Sequence, residues 1–313
     1  MRRGTSGINA VIAVDKPLGM TSHDVVNRVR RALGERRVGH AGTLDPDASG
    51  VMVVGIGQGT RLMGLMTADD KRYDALVEFG SETNTDDAEG KVTREAPVPD
   101  RLAQPEVAQV VVASLVGEVD QVPPAFSAIS VNGVRSYQRA RDGEDFELEP
   151  RRVRIIDASL VEVASCDPIT WKCSLHVSKG CYVRSIARDL GRSLGTAAHL
   201  CGLRRTASGL VAIDDCVTLD ELAEKGAQLV TDRCLDPAHG LGLPVRRLAA
   251  EELASVACGR AIAAGRLSDG SIPTDGQRVS LVADGLLLGV WEVTRNRLRC
   301  SVNFPSGVSG VRL

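Results

Sequence analysis

Asp45 is the residue of this chain whose type and setting are best suited to chemistry. It lies in the segment GHAGTLDPDASGVMVVGIGQGTRL, residues 39–62, where turn-forming residues lead into an apolar β run. Pro46 disfavours helical backbone at Asp45, and Gly42 and Gly50 allow conformations that a β-carbon forbids. The segment predicts either a turn that presents a carboxylate to a ligand or an ordinary surface turn capped by Asp45.

The same segment partly matches two known binding motifs. Asp45 and Asp47 imitate the start of a calcium-binding EF-hand loop, but that loop needs a glutamate where this chain has Ile56. The glycines after the apolar run suggest a dinucleotide-binding turn, but its third glycine would fall at Thr60. We therefore expect neither site here.

A carboxylate holds phosphate poorly, so an aspartate beside basic residues indicates covalent or acid–base chemistry. A nucleophilic Asp45 must stay ionised, and a nearby guanidinium lowers the pKa of a carboxylate by about 1–3. Arg184, at the start of the predicted helix that follows a Lys-Gly turn, is the candidate for that partner. Tyr73 begins a predicted strand, where its ring could support a planar substrate and its hydroxyl could handle a proton. The alternative for Tyr73 is an ordinary strand aromatic.

Hydrophobic periodicity predicts the elements that hold these residues. A first helix should be capped by Thr21 or Ser22 and end at Gly34. The acidic stretch SETNTDDAEGKVTRE predicts a turn-rich hairpin rather than a linker. The remaining predictions are strands over residues 9–15, 51–56, 73–79 and 171–177 and a helix over residues 106–115.

A helix over residues 182–194 should carry an arginine at every fourth position, at Arg184, Arg188 and Arg192. Such a stripe is commonly a solvated helix face. Here it lies in residues 171–205, which carry seven basic side chains against one acidic, although the whole chain has a net charge of −2. This distribution predicts a local basic surface for a phosphate backbone, and the alternative is chance clustering on solvated faces.

Residues 121–150 lack clear periodicity and concentrate turn-forming and aromatic residues. A loop this long inside a compact domain is usually functional, so we expect an excursion that packs on a substrate. Its turn-forming and aromatic residues are Pro123, Pro124, Gly133, Gly143, Phe126, Tyr137 and Phe146.

At 313 residues, the chain is long enough for two domains. The composition changes near residues 240–242, after which Gly-punctuated strands predict a small β-rich module with its own core. The sequence contains no apolar run long enough to span a membrane and no signal peptide, so we expect a cytoplasmic protein. Its eight cysteines form no CxxC pair, so we expect free thiols and no metal site.

Four motifs, GHAGTLDPDASG, DKRYDA, KGCYVRSIARDLG and LRRTASG, occur in the order found in the TruB family of tRNA pseudouridine synthases. The chain resembles that family almost from end to end, and its C-terminal module looks like a PUA domain. The resemblance implies an α/β (α+β) pseudouridine synthase fold, with a mixed, largely antiparallel sheet flanked by helices and loops. It implies a catalytic domain over residues 1–240, an RNA-clamping insertion at about residues 121–150, and a PUA-like RNA-binding domain over residues 241–313.

The resemblance also implies roles for individual residues. Asp45 attacks the target uridine, at C6 of the base or at C1′ of the ribose. Tyr73 stacks on the base and is a candidate for the final proton removal, and Arg184 pairs with Asp45. The matching substrate-binding positions are His40, which fills the space left by the flipped nucleotide, Leu203, an apolar wall, and Lys179 and Tyr182. Weaker matches, as RNA phosphate contacts, are Arg188, Arg192 and Tyr137.

The implied function is the isomerisation of the T-loop uridine of tRNA to pseudouridine by base flipping, with no metal or redox cofactor. The implied partner is the T stem-loop of tRNA, with the acceptor stem within reach of the PUA-like module, bound by a monomer. Two departures from the family pattern, SAIS where a basic residue is common and Cys181 where threonine is frequent, bear on RNA affinity. The alternatives are a tRNA-folding chaperone that makes little use of Asp45, and a small-molecule hydrolase with an aspartyl nucleophile.

Overall fold

The computed structural model describes residues 6–67, 70–127, 129–131, 134–144, 146 and 148–312. Gly133 of the predicted excursion and the side chain of Cys166 lie outside what it describes. The chain forms two compact units, which we call the terminal unit (Met1–Asp69 with Ala207–Leu313) and the middle unit (Asp70–Thr206).

Strands and helices alternate along most of the described chain. The strands are β1 (Ala10–Lys16), β2 (Val38–Ala41), β3 (Ala48–Ile56), β4 (Lys71–Phe79), β5 (Ser81–Thr83), β6 (Val92–Glu95), β7 (Gly117–Gln121), β8 (Ser130–Val131), β9 (Val134–Arg135), β10 (Arg151–Cys166), β11 (Ile169–Val177), β12 (Ala198–Ser208), β13 (Val211–Ala212), β14 (Cys216–Val217), β15 (Val245–Arg247), β16 (Ile262–Ala263), β17 (Arg278–Ala283), β18 (Leu286–Thr294) and β19 (Arg297–Ser309). The α-helices are α1 (Ser22–Leu33), α2 (Met63–Met66), α3 (Pro105–Ala113), α4 (Ser136–Arg141), α5 (Val183–Ser193), α6 (Leu219–Lys225), α7 (Ala227–Arg233), α8 (Pro237–Gly240) and α9 (Ala250–Ala257). Short 3₁₀ helices cover Gly57–Leu62, Asp100–Ala103 and Ile213–Asp215.

In the terminal unit, β3 is packed on both faces, which explains its nearly continuous apolar sequence. It pairs antiparallel with β1 and with β2, and β14 pairs parallel with β1. On one face, Met52, Val54 and Ile56 pack against α1, α6 and α7. On the other face, Val51 and Val53 pack against a second sheet formed by the C-terminal residues.

That second sheet has the strand order β15-β17-β18-β19-β16 and packs on both of its faces. One face surrounds Trp291, which is fully buried together with residues of α9. The other face contributes Val282, Leu287 and Phe304 to the core that contains β3. The C-terminal module therefore has a core of its own and shares a second one with the β1–β3 sheet.

The helix α1 places a side chain that matters for the site. Its N-cap is Thr21, whose hydroxyl accepts from the Asp24 amide while the Asp24 carboxylate accepts from the Thr21 amide. The helix ends at Gly34 with φ +60°, as the sequence predicted. Because Thr21 is the cap, the hydroxyl of Ser22 is available for another bond.

The middle unit contains a sheet with the order β12-β4-β11-β10-β7. β4, β11, β10 and β7 pair antiparallel, and α3 packs on β10. Trp171 anchors this core, because its indole donates to the Leu102 carbonyl at 2.7 Å and its ring meets Phe79 edge-to-face at 4.7 Å. Across the described residues, strand pairing is largely antiparallel but mixed, since β14 pairs parallel with β1 in the terminal unit, which confirms the predicted fold class.

The predicted helices over residues 106–115 and 182–194 correspond to α3 and α5. The strands β10 and β12 were not predicted, because charged and small residues interrupt their apolar alternation. The described part of residues 121–150 is not a bare loop, since it contains the short β8–β9 pair and α4.

Candidate functional site

Asp45 lies in the loop that joins β2 to β3, and hydrogen bonds hold the backbone beside it. Two glycines near Asp45 adopt positive φ, as the sequence predicted: Gly42, the first residue of the loop, at +84°, and Gly50, within the start of β3, at +103°. The Ser22 hydroxyl donates to the Leu44 carbonyl and accepts from the Leu44 amide, both at 2.9 Å. The half-buried Asp45 side chain is therefore carried by a restrained backbone rather than by a loose surface turn.

Lys16 is a candidate support of the Asp45 loop that the sequence analysis missed. It ends β1, is fully buried, and donates from Nζ to the carbonyls of Pro17 at 3.0 Å, Pro46 at 3.2 Å and Ala48 at 2.6 Å. Two of these carbonyls lie on the C-terminal side of Asp45, within three residues of it. A lysine at the end of an apolar strand and directly before a proline was the signal in the sequence that could have identified it.

His40 is on β2, two residues before the Asp45 loop begins. It is half-buried and lies opposite Val54 in the β2–β3 pair. Because β2 leads directly into the loop, the ring of His40 and the carboxylate of Asp45 belong to one short, ordered segment.

Tyr73, the other predicted active-site ring, lies on β4 in the middle unit. It is 8% exposed and shares a strand face with Ala75 and Val77, opposite Leu175 of β11. An aromatic ring with a buried body and a small exposed part is suited to stack on a planar group that enters beside it.

Arg184 is almost buried, at 7% exposure, in the first turn of α5. Its Nη1 donates to the Thr85 carbonyl at 2.9 Å and lies 3.3 Å from the Asp87 carboxylate. Its Nη2 donates to the Phe126 carbonyl at 3.1 Å. The guanidinium is thus held in one orientation by two separate stretches of chain.

The segment that we call the excursion root, residues 121–126, is fastened to α5 at further points. The Gln121 side chain accepts from the Tyr182 amide at 2.8 Å and donates to the Tyr182 carbonyl at 3.0 Å. The Val122 carbonyl accepts from the Ser185 hydroxyl at 2.9 Å and from Arg188 Nη2 at 2.8 Å. The start of the predicted RNA-clamping insertion is therefore anchored to the helix that carries Arg184.

The other arginines of the predicted stripe are paired with acidic residues of the acidic hairpin, which consists of β5, β6 and the turn that joins them. Arg188 Nη1 donates to Asp86 at 2.7 Å, and Arg192 Nη2 donates to Glu82 at 2.6 Å. Arg188 is only 8% exposed. At Arg184 and Arg188 the stripe is therefore neither a solvated face nor a free basic surface, because the acidic hairpin folds against it, whereas the paired Arg192 keeps a side chain that is 55% exposed.

The pKa values of the two buried carboxylates, Asp86 and Glu82, are shifted in opposite directions. Burial raises the pKa of Asp86, and the Arg188 and Arg184 guanidiniums only partly oppose that rise. Burial also acts to raise the pKa of Glu82, but hydrogen bonds from Arg192 and Arg94 outweigh it and hold that pKa below its usual range. The arginine hydrogen bonds thus outweigh the cost of burying the Glu82 carboxylate, whereas at Asp86 the cost of burial is larger than the stabilisation from the arginines.

The remaining predicted residues of the middle unit are more accessible. Lys179 is exposed in the turn before α5, and Tyr182 is half-buried at the N-cap of that helix. Leu203, on β12, is half-buried, which leaves an apolar surface available to a base. Tyr137, on α4, is 41% exposed, and the Arg141 guanidinium lies 5.6 Å from its ring centroid.

The predicted site residues are divided between the two units. His40 and Asp45 belong to the terminal unit, and the others belong to the middle unit. Among the described residues, no group of three or more histidine, cysteine, aspartate or glutamate side chains could hold a metal ion. No described helix is long and apolar enough to cross a membrane.

Comparisons with known proteins match nearly the whole chain. The family model for the TruB family pseudouridylate synthase N-terminal domain matches residues 30–183, and the model for the tRNA pseudouridylate synthase B C-terminal domain matches residues 184–240. Proteins named tRNA pseudouridine synthase B from Mycobacterium sp. (strain KMS) and Thermobifida fusca (strain YX) are each 44% identical to it. The first alignment covers 88% of this chain and 92% of the relative, and the second covers 81% and 86%. The chain belongs to the TruB family.

Solved structures agree with TruB membership at the level of the fold. A structure described as a Cbf5-Nop10-Gar1 complex superimposes with a TM-score of 0.70 at 23% identity, covering 96% of this chain and 85% of that one. A structure described as an H/ACA RNP bound to a substrate RNA containing 2'-deoxyuridine superimposes with a TM-score of 0.69 at 22% identity, covering 95% of this chain and 85% of that one. Members of the TruB family are pseudouridylate synthases, so this chain is an isomerase.

Proposed function

We propose that this protein converts uridine 55 in the T loop of tRNA to pseudouridine, with Asp45 as the nucleophile. The observation that carries the proposal is the Asp45 loop of a TruB chain, ordered by the buried Lys16 ammonium and the Ser22 hydroxyl. A preorganised carboxylate needs no rearrangement when the substrate arrives, and this lowers the barrier to attack.

The reaction breaks the N1–C1′ glycosidic bond and forms a C5–C1′ bond, so the base is detached, turned and reattached. A general base removes the proton from C5, and N1 gains a proton. The reaction is therefore an isomerisation with no net oxidation or reduction. Asp45 attacks either C6 of the base or C1′ of the ribose. In this proposal Arg184 keeps the Asp45 carboxylate ionised, and Tyr73 stacks on the uracil ring and accepts the C5 proton.

The uridine must first leave its stack, at a cost of a few kcal/mol. We propose that His40 fills the space it vacates, that Leu203 forms an apolar wall beside it, and that Lys179 and Tyr182 contact the RNA. The exposure of Lys179 and the half-buried position of Leu203 support these roles.

Recognition of the surrounding tRNA is proposed for more peripheral elements. Tyr137 is exposed and lies beside Arg141, and Arg192 keeps a side chain that is 55% exposed although it is paired. We propose both as RNA contacts; the burial of Arg188 argues against the same role for that residue. The C-terminal module, residues 241–313, would act as a PUA-like domain that reaches the acceptor stem. The protein would act as a monomer in the cytoplasm, where its tRNA substrate is made.

Replacing Asp45 by asparagine tests the chemistry without changing the shape of the side chain. Asp45→Asn should abolish tritium release from C5-labelled uridine in T-loop RNA, while tRNA binding remains within about threefold of wild type, because one neutralised carboxylate adds no bulk. Asp47→Asn is the matched control, since Asp47 is exposed in the same turn, and it should turn over normally. Turnover by Asp45→Asn would refute the mechanism.

The chaperone alternative predicts a different pattern with the same two proteins. If Asp45→Asn still refolds denatured tRNA as well as wild type does, a folding activity exists beside the isomerase activity. If wild type releases no tritium from any tRNA, the proposed isomerase function is wrong.

A further inference from the structure

Arg184 and Arg188 lie one helical turn apart on α5 and are held in the same way. Arg184 Nη1 donates to the Thr85 carbonyl at 2.9 Å, and Arg188 Nη1 donates to the Asp86 carboxylate at 2.7 Å. The Nη2 atoms of both arginines donate to carbonyls of the excursion root, at 3.1 Å and 2.8 Å. Each guanidinium therefore connects the same turn of the acidic hairpin to the same segment of the excursion.

The turn on the acidic side is small and depends on Asp86. The residue that precedes Asp86, Thr85, and the residue that follows it, Asp87, both hold Arg184. Asp86 has φ +61°, a strained conformation for a non-glycine residue that persists only when its surroundings enforce it. We therefore expect a change at Asp86 to move the Thr85 carbonyl and the Asp87 carboxylate, the two groups of the acidic hairpin that hold Arg184.

Arg188 is unsuited to the RNA contact that the sequence predicted for it. It is 8% exposed, and its three nitrogens are all engaged, with Nε donating to Asp189 at 2.9 Å in addition to the two bonds above. A phosphate could bind only if it displaced partners that this guanidinium already holds, among them the buried Asp86 carboxylate. The other charged groups around Asp86 are the Arg184 and Arg192 guanidiniums and the Asp189 carboxylate.

We infer that Asp86 and Arg188 form a positioning pair, which fixes the acidic turn and the excursion root and so sets the orientation of the Arg184 guanidinium. This inference rests on the proposed function, since it assigns the pair a role through Arg184. Neither residue touches the substrate. A catalytic group displaced by about 1 Å can lose about a hundredfold in rate, so a pair of this kind acts on turnover more than on binding.

Single substitutions of the pair should lower turnover and leave tRNA affinity intact. Arg188→Gln and Asp86→Asn should each reduce kcat about tenfold to a hundredfold, with KM and the tRNA Kd within about threefold of wild type. Asparagine suits the positive φ at position 86, so the change removes charge rather than backbone fit. Arg94→Gln is the matched control, because the half-exposed Arg94 bonds only to Glu82 and the Thr196 carbonyl among the described contacts, and its kcat should be unchanged.

A double-mutant cycle shows whether the pair acts through Arg184. On an Arg184→Lys background, which retains a positive charge and a residual rate, Arg188→Gln should cost less than about threefold further in kcat. A full additional loss on that background would overturn the inference, because it would mean that Arg188 acts independently of Arg184.

Two further results would also overturn it. If Arg188→Gln weakens tRNA binding and reduces the salt dependence of Kd while kcat is unchanged, Arg188 is a phosphate contact. If it lowers only the melting temperature and leaves kcat unchanged well below that temperature, the pair is merely structural. Should Arg188→Gln not fold, Arg188→Lys keeps the charge but cannot span both partners, and it should show the same loss of kcat. Failure of the proposed function is recognised separately, because wild type would then release no tritium.

Discussion

Replacing Lys16 by methionine tests whether a buried ammonium holds the loop that carries Asp45. Methionine has a similar length and an apolar stem, so it can occupy the same space, but it donates no hydrogen bond. The Lys16 ammonium is fully buried and bonds to three backbone carbonyls, so its removal acts on the backbone around Asp45 rather than on a surface charge.

The loss of the lysine does not leave all three carbonyls without a hydrogen-bond donor. The Pro46 carbonyl keeps a bond from the Gly19 amide at 2.9 Å, whereas the Ala48 carbonyl loses the shortest of the three lysine bonds, at 2.6 Å. A buried acceptor left without its charged donor costs about 1–3 kcal/mol. The variant no longer buries a charge, and this gain offsets part of the loss from the unpaired carbonyls. We therefore expect a net decrease of about 1–3 kcal/mol in the free energy of unfolding, close to the cost of one unpaired acceptor.

Thermal melts and tritium release measure the two consequences. A loss of about 1–3 kcal/mol lowers the melting temperature by roughly 2–5 °C in a protein of 313 residues, because the entropy of unfolding grows with chain length. A loop displaced by about 1 Å should also reduce kcat about tenfold to a hundredfold. Lys225→Met is the matched control, because Lys225 is exposed at the end of α6, and it should change neither quantity. A Lys16→Met protein with normal melting and normal turnover would refute the reasoning.

Two other predictions concern the middle unit. Glu82 has a folded-state pKa below its ordinary value of 4.5, so its ionised form stabilises the protein above that pH and the contribution is lost as the pH falls through the folded pKa. Glu82→Gln should therefore lower the free energy of unfolding at pH 7. The decrease should be only about 1–2 kcal/mol, because water can solvate the partly exposed arginine partners once the charge of Glu82 is gone. Urea titrations should show the difference from wild type shrinking below pH 4.5, and Glu95→Gln, at an exposed position, is the control. Burial raises the pKa of the Cys181 thiol to about 12, so iodoacetamide should label the exposed Cys258 in the native protein and leave Cys181 unlabelled until it unfolds, as peptide mass spectrometry would show. Native labelling of Cys181 at the rate of Cys258 would mean that the Gln121 contact opens.

Elements that depend on neighbouring residues were predictable from the sequence. The cap at Thr21, the stop at Gly34 and the apolar face of α1 are local signals, and the structure reproduces them within a residue. The same holds for α5, whose apolar period ends near Leu194. The turn at Asp45 was also predictable, because proline and glycine restrict or widen the backbone at their own positions.

The arginine stripe shows where sequence reasoning failed. The local charge around Arg184, Arg188 and Arg192 is strongly positive, but their partners Glu82 and Asp86 are about a hundred residues away along the chain. Periodicity predicts which side chains share a helix face, but it does not predict which other segment covers that face. The predicted basic surface was therefore wrong at Arg188, where the neighbouring acidic hairpin neutralises it.

The sequence alone determined the chemistry that this chain can perform, because the type of each reactive group and its immediate turn are written in contiguous motifs such as the one around Asp45. It also determined the family, through the order of those motifs. Only the tertiary structure decided which residues hold the reactive groups in place. Lys16 reaches Ala48, and Gln121 reaches Tyr182, through contacts between residues distant in sequence. Such contacts arise when buried polar groups must find partners, and that requirement is met only once the whole core has formed.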